Sequence, residues 1–162
     1  MLAARSALAA LLIALVVVPY AIAESQSVQG TGAIKRMSVD NAQKAVTVKL
    51  KGLEKPCAAH YFRVLLFWGK KKAYQADGGC YQGKWITSLY YYSNRDSGTG
   101  GDPVGCERFK LAYDKDKSQY RVFVPRKCLD LAPDKIKVRA EGDNYSSPMP
   151  GEAGQTKALA RG

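Results

Sequence analysis

Between Cys106 and Cys128 two runs alternate apolar and polar residues on either side of a polar turn, and this segment organises the rest of the chain. In the first run Phe109, Leu111 and Tyr113 interleave with Arg108 and Lys110; in the second, Tyr120, Val122 and Val124 alternate with Arg121. A period of two is the mark of a half-buried strand. The stretch Asp114 to Gln119 predicts a hairpin connection. If Tyr113 faces Tyr120, then Leu111 meets Val122 and Phe109 meets Val124, which places six large apolar residues on one face. The same register brings Cys106 opposite Lys127, beside Cys128, so a disulfide can close the open end.

Near its start the chain carries a basic residue, Arg5, followed by an apolar run from Ala7 to Val18 and then Ala21-Ile22-Ala23. That pattern predicts a secretory signal peptide over residues 1–23, cleaved before Glu24. The run is too short for a membrane anchor and no second one follows, so no transmembrane segment is expected. Cleavage would remove only Arg5 among the charged residues, leaving 24 Lys and Arg against 14 acids, a net charge of +10. Such a balance attracts polyanions outside the cell, including acidic wall polymers and glycans, although it also serves solubility alone. No specific nucleic acid is implied.

All four cysteines, Cys57, Cys80, Cys106 and Cys128, fall in the exported part. An even count in an oxidising compartment favours two disulfides. Spacing does not choose among the three connectivities. The hairpin register favours Cys106 with Cys128, which leaves Cys57 with Cys80. Zinc is disfavoured because there is no C-x-x-C pair and His60 is the only histidine.

Residues 24–33 are small and polar and read as a flexible leader. Ile34 to Val39 and Ala45 to Leu50 predict a hairpin, and His60 to Trp68 a central strand covered on both faces. Ala73 to Ala76 reads as a brief return strand, Asp77-Gly78-Gly79 as a turn and Trp85 to Tyr92 as a further strand. Ser93 to Gly105, with four glycines and a proline, reads as a long loop. Lys135 to Glu141 completes the sheet, and residues 146–162 read as a disordered basic tail. These elements give one domain over 34–145, an all-β, antiparallel β-sandwich of jelly-roll-like character with two disulfides; a small closed β-barrel is the alternative. A monomer is expected.

The C-x-x-F-x-L-x-Y-D hairpin, the V-P-R-K-C-L of residues 124–129 and the closing I-K-V-R resemble small secreted bacterial β-sandwich proteins without an assigned activity. The resemblance spans residues 106–139. It implies fold and export, not a catalytic site.

Catalysis has little to rest on. His60 precedes a core strand and the cysteines are expected to be oxidised, so no nucleophile and base pair is evident. Asp96, Asp102, Asp114 and Asp116 lie in loops, where carboxylates are usually solvated. Asp96 and Asp102 lack the spacing of a calcium loop. No metal, cofactor or enzymatic activity is expected.

Ten of the sixteen aromatic residues lie between Tyr61 and Tyr92, accompanied by Lys70, Lys71, Lys72 and Lys84. If Trp85, Leu89 and Tyr91 face inward, Tyr90 and Tyr92 face outward. Aromatic rings beside lysines make a stacking platform for sugars or bases, with phosphate or carboxylate held by charge. A second candidate is the basic face of the hairpin, Arg108, Lys110 and Arg121, which Lys137 and Arg139 would join if the last strand is adjacent. The expected function is a secreted, non-enzymatic binding module for an anionic extracellular or cell-wall polymer, using Trp85, Tyr90 and Tyr92 for stacking and Lys70 to Lys72 with Arg108, Lys110 and Arg121 for charge. The alternatives are a small polysaccharide hydrolase using the carboxylates of Ser93 to Asp102, and a protein-recognising inhibitor or toxin-like protein.

Overall fold

A computed structural model describes residues 23–97, 100–146 and 150–162. The expected signal peptide lies outside the described residues, apart from Ala23. Among the described residues eleven strands form two antiparallel sheets that are not closed into a barrel. The five-stranded sheet has the order β1 (Glu24–Gln29), β2 (Arg36–Asn41), β3 (Ala45–Lys51), β9 (Gln119–Pro125), β8 (Lys110–Asp114). The six-stranded sheet has the order β11 (Gly151–Ala153), β10 (Lys137–Asn144), β4 (Ala59–Trp68), β5 (Lys72–Tyr81), β6 (Lys84–Tyr92), β7 (Asp102–Pro103). The only helical pieces among the described residues are single 3-10 turns at Arg95–Ser97 and Arg126–Cys128. No helix among them is long and apolar enough to cross a membrane.

The core is what alternating strands dictate. Met37, Val39, Val46, Val48, Leu50, Tyr120, Val122 and Val124 point inward from one sheet; Phe62, Val64, Leu66, Tyr74, Ala76, Val138 and Ala140 meet them from the other. Each is essentially buried, and each of the larger aliphatic or aromatic side chains contributes about 1.5–3 kcal/mol relative to exposure. The hairpin takes the expected register, with Leu111 opposite Val122 and Tyr113 opposite Tyr120. Phe109 falls just outside β8 and packs on the core through its ring. The disulfides are Cys57–Cys80 and Cys106–Cys128, with Cα separations of 5.0 and 5.8 Å. The second clasps the hairpin at its open end.

Three expectations are corrected, and the condition for a wider basic face is not met. Asp77-Gly78-Gly79 is not a turn but the middle of the ten-residue strand β5. Gly78 is there because a side chain would collide with the indole of Trp85, 2.7 Å from its Cζ2. The turn comes instead at Gln82 and Gly83, both with positive φ (49° and 74°), the twist that suits a two-residue hairpin connection.

Residues 24–29 are not a loose leader but the strand β1, paired with β2 from Glu24↔Asn41 to Gln29↔Arg36. An edge strand with one solvated face needs little apolar content, which is why its composition reads as linker.

The stretch 146–162 is not wholly a disordered tail. Gly151–Ala153 pairs with β10, and beyond it Thr156 and Leu159 are buried. Val138 N–H donates to Thr156 Oγ1 at 3.0 Å, Thr156 N–H donates to Val138 O at 2.9 Å, and Ile136 and Leu159 exchange both backbone bonds. The segment also reaches the other sheet: Lys157 N–H donates to Gln26 Oε1 and Ala160 N–H to Glu24 Oε2, while Gly30 pairs with Ala153. Small residues hide this role, because the anchoring is by backbone rather than by a hydrophobic run.

Finally, β10 belongs to the six-stranded sheet, against β4. Lys137 and Arg139 therefore do not join Arg108, Lys110 and Arg121.

Candidate functional site

The outer face of the five-stranded sheet is built from the residues that alternate away from the core. One cross-strand row reads Ser27, Ser38, Lys49, Arg121, Ala112; the next reads Ser25, Asp40, Thr47, Phe123, Lys110. In the first row Lys49 and Arg121 stand directly opposite each other, both exposed. Lys110 is the direct partner of Phe123, next along the sheet from Arg121. Directly opposed residues have Cβ atoms about 4.5–5.5 Å apart, and like charges in that position are destabilising. The small side chain of Ala112 opposite Arg121 leaves a depression of about 520 Å³, lined by Arg108, Lys110, Ala112, Arg121 and Phe123.

None of Lys49, Arg108, Lys110 and Arg121 forms an ion pair among the described residues. The nearby carboxylate of Asp114, at the far end of β8, is engaged by Lys117 at 3.6 Å and accepts a hydrogen bond from the Lys117 backbone. Three cations thus line the depression with the half-buried Phe123 ring, and Lys49 stands opposite one of them on the neighbouring strand. Chemically this arrangement offers several donors to anionic oxygens and an apolar surface for the stem that carries them.

Lys49 and Phe123 were not among the residues singled out from the sequence. Both were readable from alternation: Phe123 lies between inward Val122 and Val124, and Lys49 between inward Val48 and Leu50. What the sequence lacks is the β3–β9 pairing, which alone sets Lys49 against Arg121.

The remaining candidates are scattered. Trp85 faces the space between the sheets, half-buried, with its ring 6.0 Å from that of Phe62 and 5.5 Å from that of Tyr120. It cannot share a stacking surface with Tyr90 and Tyr92, which alternate to the opposite side of β6. Tyr90 and Tyr92 are themselves half-buried, not an exposed row. Register sets them beside Gln75 and Ala73, next to the buried outer-face cluster Leu65, Phe67 and Ala73. The backbone of Gly101 lies against the Tyr92 ring so closely that a Cβ there would be 2.6 Å from its Cε2. Lys70, Lys71 and Lys72 are exposed at the β4–β5 turn, around a shallow depression with Trp68 and Ser93, at one end of the other sheet.

His60 is exposed at the start of β4. Its Nδ1 lies 3.5 Å from Asp143 Oδ2, and its ring packs 4.6 Å from Tyr145. Asp96 is exposed and meets Arg95 at 3.6 Å; Asp102 is exposed on β7, opposite Tyr91. No group of three His, Cys, Asp or Glu side chains among the described residues is arranged to hold a metal ion.

Comparison with protein-family models, with curated proteins and with solved structures finds no match to this chain. The site therefore stands on its own geometry.

Proposed function

We propose that the protein is an exported, non-enzymatic binding module that holds an anionic polymer on the outer face of its five-stranded sheet. The observation that carries this reading is the direct opposition of Lys49 and Arg121, with Lys110 and Arg108 beside Phe123 and no carboxylate among the described residues paired to any of them. A sheet face that places like charges opposite one another gives up stability in the free protein. An anion laid across it converts that repulsion into attraction, so the arrangement gains in the bound state.

Two disulfides in a small β-sandwich suit an oxidising extracellular compartment, and the overall positive charge would steer a polyanion to the protein. A phosphate- or carboxylate-bearing polymer satisfies the site better than a single small anion, because the cations are spread over three strands. Arg121 and Arg108 would take oxygens as planar forks, Lys49 and Lys110 as point charges.

The test is affinity for a poly(glycerol phosphate) and a polyuronate, measured across salt concentration. Wild-type protein should show a steep fall of log affinity with log salt, as counterion release requires. Arg121→Glu together with Lys49→Glu should weaken binding and flatten that slope, while Lys70→Glu with Lys71→Glu should change both much less. Equal effects from the two pairs would mean that only net charge matters and would remove the site.

A further inference from the structure

The outer face of the six-stranded sheet carries a separate depression of about 370 Å³, within the range of small-ligand sites. Its floor is backbone. Gly79 lies between its direct partners Tyr61 on β4 and Ile86 on β6, and with no side chain it leaves a shallow trough across the sheet. Tyr81, two residues further along the same face, closes the trough toward the Gln82–Gly83 turn. Tyr81 and Ile86 are 63% and 50% exposed.

The opposite bank is polar and ordered by its own contacts. A cross-strand row reads Glu141, Arg63, Asp77, Ser88. Arg63 Nε is held by Glu141 Oε1 at 3.0 Å, and its guanidinium carbon lies 5.6 Å from the centre of the Tyr61 ring. Asp77 Oδ2 accepts a hydrogen bond from Gln75 Nε2 at 2.9 Å. Partial burial holds the Asp77 carboxyl above the usual carboxylate range, with Gln75 and Arg63 opposing that shift.

This pattern discriminates by charge. An anionic ligand would meet the Asp77 carboxylate, while the Arg63 guanidinium, its charge offset by Glu141, remains as a hydrogen-bond donor. A neutral molecule rich in hydroxyls suits both, since each hydroxyl is donor and acceptor at once and can bond to Asp77, Ser88 and Arg63 in turn. The exposed apolar walls call for a ligand with an apolar face as well, and a pyranose ring has polar edges and such a face.

We propose that this trough is a binding site for a neutral sugar ring, its apolar face against Tyr61, Tyr81 and Ile86 and its hydroxyls on Asp77, Ser88 and Arg63. The site is independent of the basic face, which lies on the other sheet.

A panel of neutral hexose and N-acetylhexosamine oligosaccharides, screened on an array and then titrated calorimetrically, tests it. At least one should bind, and its affinity should persist at about 1 M salt, where the Debye length is about 3 Å. Tyr81→Ala, which removes an exposed side chain and should leave the melting temperature close to wild type, should weaken binding about tenfold. Asp77→Asn should weaken it too, while Arg121→Glu should not. Absence of binding to every neutral oligosaccharide would overturn the proposal. So would loss of binding at high salt, or unchanged affinity in both trough variants.

Discussion

The side-chain amide of Asn41, at the end of β2, donates to the backbone carbonyl of Leu159 at 2.8 Å, linking residues 118 positions apart in a fully buried contact. Asn41 Nδ2 also lies 3.3 Å from Asp134 O, its Oδ1 accepts from Arg126, and its backbone carbonyl accepts from Gly162 N–H. One polar residue thus ties a strand, two loops and the C-terminal segment together. Asn41→Leu would leave the buried Leu159 carbonyl and the part-buried Asp134 carbonyl and Arg126 guanidinium without this partner. The expected loss is about 3 kcal/mol in urea unfolding. Arg161→Ala, which removes an exposed contact to Asp134, should cost less than about 1 kcal/mol.

Two buried tyrosines tie the stability of the fold to alkaline pH. Burial is the main cause that pushes the Tyr74 phenol up to about 12, and its hydroxyl donates to Asp130 Oδ1 at 2.8 Å. Burial likewise raises Tyr120, whose hydroxyl has no partner among the described residues. Both folded values lie above the unfolded value of about 10, so the unfolded chain loses its phenol protons first as pH rises. Stability from these groups is fully present below about pH 10 and falls from there toward pH 12. Thermal melts should show that decline in the wild type and a shallower one in Tyr74→Phe and Tyr120→Phe. At neutral pH the Tyr74 variant should lose about 1 kcal/mol and the Tyr120 variant little.

Gly78 separates close packing from backbone freedom. Its φ is not positive, so the glycine is required by the space under Trp85, with Leu111 Cδ1 and Phe62 Cε1 each 3.2 Å from a Cβ placed there. Gly78→Ala should destabilise by about 1–3 kcal/mol through overpacking. The double variant Gly78→Ala with Trp85→Leu should recover part of that loss if the indole is the obstacle. Gly83→Ala meets nothing within 4 Å and should cost only the left-handed conformation, about 1–2 kcal/mol, with no rescue from Trp85→Leu.

The Lys49–Arg121 opposition makes a prediction about stability that does not depend on any ligand. Lys49→Gln should raise the unfolding free energy by about 0.5 kcal/mol at low salt. That gain should vanish near 1 M salt, where the repulsion it relieves is already screened. A gain that persists at high salt would point to packing or propensity as its source.

The hairpin and its clasp were legible because every signal needed is local: the alternation from Lys110 to Asp114 and from Gln119 to Val124, the polar turn between them and the cysteines at the open end. The basic residues on that hairpin were legible for the same reason. What escaped depends on long-range pairing. Lys49 meets Arg121 only through β3–β9, and Lys137 and Arg139 part from them because β10 joins β4. Glycine misled in β5, since Gly78 and Gly79 carry the same letter whether the chain turns or a ring passes overhead. Residues 24–29 and 151–162 escaped because their order comes from backbone hydrogen bonds to neighbours that sequence does not reveal. The tyrosine row misled by composition: aromatic density marked a strand correctly, but Gly101 covers Tyr92, and the outer-face trough instead draws on Tyr61 and Tyr81 at either side of it.

The two depressions lie on opposite outer faces of one sandwich, with the core between them. Residues on one face cannot reach across to the other, so filling either leaves the other open to solvent. A molecule lying with its basic face down would present the trough of the other sheet upward, so if both proposals hold, one chain would join two layers.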